Sequence, residues 1–395
     1  MIPGPGARPG GADGDALRSK VVLPVLLGAF GVFGLFWGTF AVLLADLSGA
    51  LDLSPGPLGV ALFVGAAASI LAMALLGWTS DRLGRRVFLL VSGGVMGLGI
   101  AALASAEGYR ALLAALVILY AASGLYDVGI NAAAVDLERA AQRRVMAVLH
   151  AAFSAGGVAG ALSAGVLLSA GLDYRVVYLA LLPPLGAVIL AVAATRFPPF
   201  GGPSGDKEAR EAGLYRKLPL ILVAAIATLA LLSEGEMEHW SGVYLRNTLG
   251  LSALLGGSGV AVFYGSMAVG RLGAAFVIGR LGNRRTLLGA GLLTAGGMAL
   301  ALATREPLLV VAGFLVVGLA LSAVVPITFS VAGDLVPGHA GAAISVVTTL
   351  GYGGFLLGPV IVGGLAEVLG LRIALGIIAV SGLLIFTLSL RLKAF

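Results

Sequence analysis

Arg82-Leu83-Gly84-Arg85-Arg86 recurs as Arg280-Leu281-Gly282-Asn283-Arg284, 198 residues further along a chain of 395. The same displacement carries Asp136 onto Asp334 and the Gly156/Gly160 pair onto Gly354/Gly358. Each basic stretch follows a long apolar segment. A pattern repeated at half the chain length reads as two copies of one unit.

Composition places those units in a bilayer. Hydrophobic residues make up 59% of the chain and charged residues 11%, where soluble domains carry about 25% charged. Mean hydropathy is +1.05, and apolar runs approaching the ~20 residues needed to cross the hydrocarbon layer recur throughout. The expected fold is an all-α membrane protein of twelve transmembrane helices in two pseudo-symmetric six-helix bundles. The spans are read at 21–45, 57–79, 86–105, 110–135, 145–170, 175–196, 218–245, 252–279, 286–304, 307–333, 340–368 and 371–391. Residues 1–17, rich in Gly, Pro and Asp, read as a disordered tail rather than a signal peptide. Residues 18–196 form the first bundle and 218–395 the second. Between them, 197–217 is a polar linker with a short surface helix expected around 206–216.

The 61 glycines would weaken soluble helices by about 1 kcal/mol each relative to alanine. Between membrane helices, small residues instead permit close approach. Gly34–Gly38, Gly93–Gly97, Gly156–Gly160 and Gly354–Gly358 all have GxxxG spacing and are expected at helix contacts.

The basic residues orient the chain. With the N-terminus inside, nineteen of the 25 Lys and Arg fall on the inner side. Arg110, Arg175, Arg246, Arg305 and Arg372 fall outside, and Arg271 lies within a span. This is the positive-inside pattern, and it puts both termini in the cytoplasm. The pI of 9.8 thus reflects topology; no basic-aromatic stripe for nucleic acid is visible. The absence of cysteine excludes disulfides and thiolate metal sites.

Gly77-Trp78-Thr79-Ser80-Asp81-Arg82-Leu83-Gly84-Arg85-Arg86 resembles the signature loop of the major facilitator superfamily, Gly-x-Leu-Ala-Asp-Arg-x-Gly-Arg-Arg, between the second and third spans. With the twelve spans, the central linker and the two-fold repeat, the resemblance extends over about residues 20–393. Further stretches are similar to a bacterial branch related to fucose permease. These are Asp127-Val128-Gly129-Ile130-Asn131, Leu149-His150-Ala151-Ala152-Phe153-Ser154, Glu234 to Leu245 and Gly351 to Pro359. The resemblance implies a multi-pass protein of the bacterial plasma (inner) membrane with a site near mid-membrane between its halves. Two departures argue against drug efflux. Tyr120 stands where many proton-coupled members carry Arg, four residues before Gly124, and Gly156-Gly157-Val158-Ala159-Gly160 lacks the proline of the antiporter pattern.

Several residues are candidates for the working parts. Gly77, Asp81, Arg82, Gly84, Arg85 and Arg86 are read as a cytoplasmic gate, through charge-assisted hydrogen bonds that latch the halves together. Ionisable groups within spans usually face a cavity or a partner. Asp127, with Asn131 one turn on, lies on a polar stripe of the fourth span that also carries Tyr120 and Ser123. Arg271 lies at similar depth in the eighth span. Asp127 and Arg271 are expected to share a cavity, with Arg271 pairing to Asp127 directly or through solute, or to Asp334 structurally. The seventh span holds Glu234, Glu236, Glu238, His239 and Trp240. Glu234, Glu238 and Ser241 share one helical face, and Glu236, His239 and Trp240 another. At least one of the three carboxylates is expected to carry a proton, and His239 can titrate near neutral pH. Glu234, Glu238 and His239 are the leading candidates for a transport role, ahead of Glu236. Trp37, Trp240 and Tyr352 are expected to contact solute or close its entrance.

No metal-ligand spacing, P-loop or enzyme constellation is present. The expectation is therefore a non-enzymatic secondary transporter without cofactor or metal. It moves a small polar solute, sugar-like in the first reading, by proton-coupled uptake and alternating access. The alternatives are proton-driven efflux of amphipathic compounds and a non-transporting membrane sensor. Its partners are the solute, protons and lipid, and it is expected to act as a monomer.

Overall fold

In the computed structural model, residues 11–141, 145–197, 217–336 and 340–392 are described. The first six long helices are α1 (Gly11–Ala50), α2 (Pro55–Leu76), α3 (Arg85–Ala104), α4 (Tyr109–Ala141), α5 (Met146–Ser169) and α6 (Tyr174–Ala194). The second six begin with α7 (Leu218–Val243), whose last turn widens into a π-helical Tyr244–Thr248. The helix Ala253–Ala303 is broken at Gly282, where φ is +77° and ψ 162°; the part before it is α8 and the part after it α9. Then come α10 (Pro307–Leu335), α11 (Ala340–Leu369) and α12 (Leu371–Arg391). Among the described residues, eleven continuous helices are long and apolar enough to cross a membrane, and the break at Gly282 makes them twelve spans.

Boundaries differ from expectation at the N-terminus, where α1 already starts at Gly11, inside the tail expected to residue 17. Residues 1–10 and the surface helix expected around 206–216 lie outside the described residues.

Glycine pairs set the helix spacing. A Cβ placed on Gly34 or Gly38 would overlap the carbonyls of Phe153 and Gly157 on α5. One on Gly156 or Gly160 would overlap those of Gly31 and Leu35 on α1. These two helices therefore touch backbone to backbone, and the Thr39 hydroxyl donates to the Gly160 carbonyl across the seam at 3.2 Å. In the second half, a Cβ on Gly354 would overlap the Thr228 carbonyl of α7. Gly93 and Gly97 are looser and meet only side chains: Ile189 of α6 and Tyr126 of α4 at Gly93, and Leu182 and Leu185 of α6 at Gly97.

The halves meet on the side away from the 77–86 loop. There Arg246 at the end of α7 pairs with Asp46 at the end of α1, and Asn247 reaches Ser48 at 3.5 Å. The Gly56 backbone N–H donates to Glu367 of α11 at 2.8 Å. Gly59 and Gly363 bring α2 and α11 together, and Gly165 and Gly257 do the same for α5 and α8. The far side is closed by this set.

Filling the α1–α5 seam should be disruptive while filling an open glycine should not. Gly34→Val is expected to lose about 1–3 kcal/mol through overpacking. Gly186→Ala, with no atom near its Cβ position, should be neutral or gain up to about 1 kcal/mol of helix propensity. Thermal unfolding of the purified protein in detergent measures both.

Candidate functional site

A cavity of about 400 Å³ lies between the halves, within the range of small-molecule sites. Its walls come from α1, α2, α4 and α5 on one side and α7, α8, α10 and α11 on the other. The repeat is visible in the lining: Phe33 and Leu231, Met73 and Arg271, Asp127 and Val325, and His150 and Thr348 all line it, and each pair is separated by the same 198 residues. The two halves thus offer the same positions, filled with different chemistry.

Most of the wall is aromatic or apolar. Phe33 and Phe153 lie 5.7 Å apart between ring centroids. Trp37 meets Tyr120 edge-on at 5.2 Å. Tyr352 and Phe355 close the α11 side, and Tyr352 is 40% exposed, so its ring faces open space.

Into this wall project three acids and one guanidinium. Arg271 donates from Nη2 to Oε1 of Glu234 at 2.8 Å. That pair joins α7 to α8 within the second half. Asp127 accepts instead from the Asn131 amide at 2.9 Å, one turn along α4. Glu238 is the third acid on the wall, within electrostatic reach of Glu234, Arg271 and Tyr264. Asp127, Glu234, Glu238 and Arg271 therefore share the cavity, but the guanidinium meets Glu234 rather than Asp127 or Asp334. The reason is packing: the α7 face bearing Glu234 is turned toward α8, while Asp127 stands on the opposite wall.

The other candidates of α7 turn away. His239 is buried and its Nε2 lies 3.0 Å from the Tyr120 hydroxyl across the boundary between halves, and its ring meets Phe355 edge-on at 6.2 Å, so it stands behind these two wall residues. Trp240 is completely buried and does not line the cavity. Trp37 and Tyr352 do line it, whereas Asn131 stands behind Asp127. Sequence reasoning did not single out His150, Phe329 or Thr348 as wall residues. For His150 and Thr348 a signal existed, since each is the other's repeat partner.

The expected gate residues have a local structural task in both halves. Gly84 and Gly282 both adopt positive φ, +78° and +77°, which turns the chain sharply into the next helix. Arg82 stacks on Trp78 at 4.4 Å, and its repeat partner Arg280 on Phe276 at 4.1 Å. Arg86 donates to the Ala193 carbonyl near the end of α6. Its partner Arg284 donates to the Leu390 carbonyl near the end of α12 at 3.1 Å; each guanidinium so satisfies a helix C-terminus. Arg85 differs. It is buried, and donates at 2.7 Å to Ser80, to Asp81 and to Asp136, all in the first half. Asn283 replaces it in the repeat. Gly77 ends α2, its N–H donating to Met73 at 2.9 Å.

Breaking the Arg271–Glu234 pair from either end leaves the other charge without its partner, so the two losses should not add. Arg271→Gln and Glu234→Gln are each expected to destabilise, and the double variant to lose less than their sum by about 0.5–3 kcal/mol. A double-mutant cycle on thermal unfolding measures this; additive losses would show that the pair is not formed.

Comparison with known proteins agrees with this architecture. The Major Facilitator Superfamily profile matches residues 25–280 and again 243–394. An uncharacterized MFS-type transporter of Yersinia pestis is 32% identical over 366 residues, covering 93% of this chain and 94% of that protein. Membrane protein MosC of Rhizobium meliloti is 30% identical over 367 residues, covering 93% and 89%. Among solved structures, the nucleoside transporter NupG superposes with a TM-score of 0.77 at 14% identity, covering 95% of this chain and all of that one. A D-xylose-proton symporter superposes with a TM-score of 0.73 at 13% identity, covering 95% and 98%. A two-fold repeat, twelve spans, a cavity between the halves and these full-length matches place the chain in the major facilitator superfamily, as a membrane transporter rather than an enzyme.

Proposed function

We propose that this transporter takes up a small polar solute, sugar-like or nucleoside-sized, by proton-coupled alternating access. The observation that carries the reading is the cavity itself: a space of about 400 Å³, shared by both halves and closed on the far side by Arg246–Asp46 and Gly56–Glu367. Polar groups inside such a space are tolerated because they meet solute, water or each other. With the 77–86 loop facing the cytoplasm, as the basic residues favour, the closed side is the outer one.

Within that frame the residues take distinct roles. The aromatic walls of α1 and α11 stack on an apolar ring face, and Asp127 and the Arg271–Glu234 pair hold hydroxyls or ring nitrogens. Glu238, without a cation of its own on the wall, is the cavity acid best suited to exchange a proton as solute arrives. The Tyr120–His239 hydrogen bond crosses between the halves and must break or slide when they rock, so it ties cavity occupancy to their relative position. The large apolar share of the wall supports efflux of amphipathic compounds as the second reading, and the same experiment separates the two.

Nucleosides, pentoses and hexoses should first be screened by thermal shift, since a bound solute raises apparent stability. A hit is then followed into proteoliposomes with an imposed proton gradient. Accumulation with inward protons, abolished by a protonophore, is the expected result. Movement against the protons means efflux, and binding without flux in any direction means a sensor. Asp127→Asn should reduce uptake at least about tenfold, as for loss of one charge-assisted contact of about 1.5–3 kcal/mol.

The closed side can be tested independently, because the chain has no cysteine. Asp46→Cys with Arg246→Cys should form an oxidant-dependent cross-link that stops transport and is reversed by reductant. Unimpaired transport by the cross-linked protein would show that these ends need not separate.

A further inference from the structure

Glu236 is the one acid of the α7 cluster that the cavity does not use. It stands between Glu234 and Glu238, both on the cavity wall, but its side chain turns into the seam between α7 and α11. It is 0% exposed, and among the described residues neither carboxylate oxygen has a hydrogen-bond partner. A Cβ on Gly358 of α11 would overlap its Oε1, so the glycine makes room for the carboxyl. The repeat shows that the fold does not require it. The matching residue of the first half is Gly38, which packs directly on Gly157. One half thus has a sealed glycine seam where the other holds a carboxyl.

The groups around it leave that carboxyl alone. On its own helix, Trp240 lies one turn on, close enough to act on Glu236, yet its indole N–H makes no hydrogen bond of acceptable geometry. His239 faces Tyr120. On α11, Tyr352 faces the cavity and Glu367 binds Gly56 at the far end. On α12, Arg372 and Arg391 stand at opposite ends. On α10, Asp334 is near the loop-side end. Arg271 of α8 is engaged with Glu234, and Asp46 of α1 with Arg246. Among the described residues, the ion pairs Arg85–Asp81, Arg85–Asp136, Arg246–Asp46 and Arg271–Glu234 all leave Glu236 out. An ionised carboxylate needs a cation, a donor or water, and among the described residues no side chain or backbone group hydrogen-bonds to it in this arrangement.

We propose that Glu236 is a proton-binding site separate from the solute cavity, whose occupancy sets the α7–α11 seam and, through it, the far-side closure. The proposal rests on the transport reading above for its role, but not for its existence. In the closed arrangement the carboxyl carries its proton. Losing that proton leaves a buried, unpartnered carboxylate, which draws in water or the Trp240 N–H and forces the two helices to repack. The same helices make the closure: α7 leads from Glu236 to Val243, about 10 Å at 1.5 Å per residue, and on through its π-helical turn to Arg246, and α11 carries Gly363 and Glu367.

The test needs no solute. The full chain has three tryptophans, so Trp37→Phe with Trp78→Phe leaves Trp240 as the reporter. Its emission in lipid nanodiscs should titrate with pH as a single proton. Glu236→Gln, which copies the neutral acid in shape, should abolish that titration while Glu238→Gln retains it. Should Glu236→Gln fail to fold, Glu236→Gly, which copies Gly38, removes the carboxyl without adding bulk. No titration in the reporter protein, or one that survives loss of Glu236, overturns the proposal. With a solute from the screen, Glu236→Gln in the otherwise unaltered protein should exchange solute across proteoliposomes but accumulate it at least tenfold less under a proton gradient. Undiminished accumulation overturns the coupling role. If the parent protein transports nothing, the transport reading fails, and the Trp240 titration still decides whether Glu236 binds a proton.

Discussion

A charged side chain inside hydrocarbon must find an opposite charge, a hydrogen bond or water, because lipid offers none of these. The structure is organised around the few places where the helices provide them. Arg271 finds Glu234, and Asp127 finds Asn131. Arg85 finds Ser80, Asp81 and Asp136. Where Asp127, Glu234, Glu238 and Arg271 come together, α1, α2, α4, α5, α7, α8, α10 and α11 stand apart and leave a cavity. The other helices, α3, α6, α9 and α12, take no part in the lining.

Close backbone contact makes that cavity possible. Van der Waals packing must do the work that the hydrophobic effect does in water. The α1–α5 seam does so through Gly34, Gly38, Gly156 and Gly160, which place carbonyls of one helix against the α-carbons of the other. Rigid pairs of this kind can move as bodies, and the far side is held by the polar pairs Asp46–Arg246 and Gly56–Glu367 together with the glycine contacts Gly59–Gly363 and Gly165–Gly257. Such contacts can part and re-form without unpacking a core.

The repeat is symmetric in structure and asymmetric in chemistry. Gly84 and Gly282, Arg82 and Arg280, and Arg86 and Arg284 perform the same turns, stacks and helix caps in both halves. Function enters where partners differ. Arg85 becomes Asn283, Met73 becomes Arg271, His150 becomes Thr348, and Gly38 becomes Glu236. Duplication supplied two equivalent frames, and substitution in one of them placed charge without disturbing the other.

The span pattern, the repeat and the side of α7 on which each acid stands were all legible in the residues, because hydrophobic length and helical period are local properties of a chain. Glu234 and Glu238 were grouped on one face and Glu236, His239 and Trp240 on another, and the helix keeps that division. What the chain alone left open was every choice between partners. Arg271 had Asp127, Asp334 or solute to choose from, and pairs with Glu234. Trp240 was a candidate for the cavity and is buried behind it. Those outcomes depend on how α7, α8 and α11 are rotated about their axes when their glycines lock together, and rotation of a helix is fixed by its neighbours rather than by its own sequence.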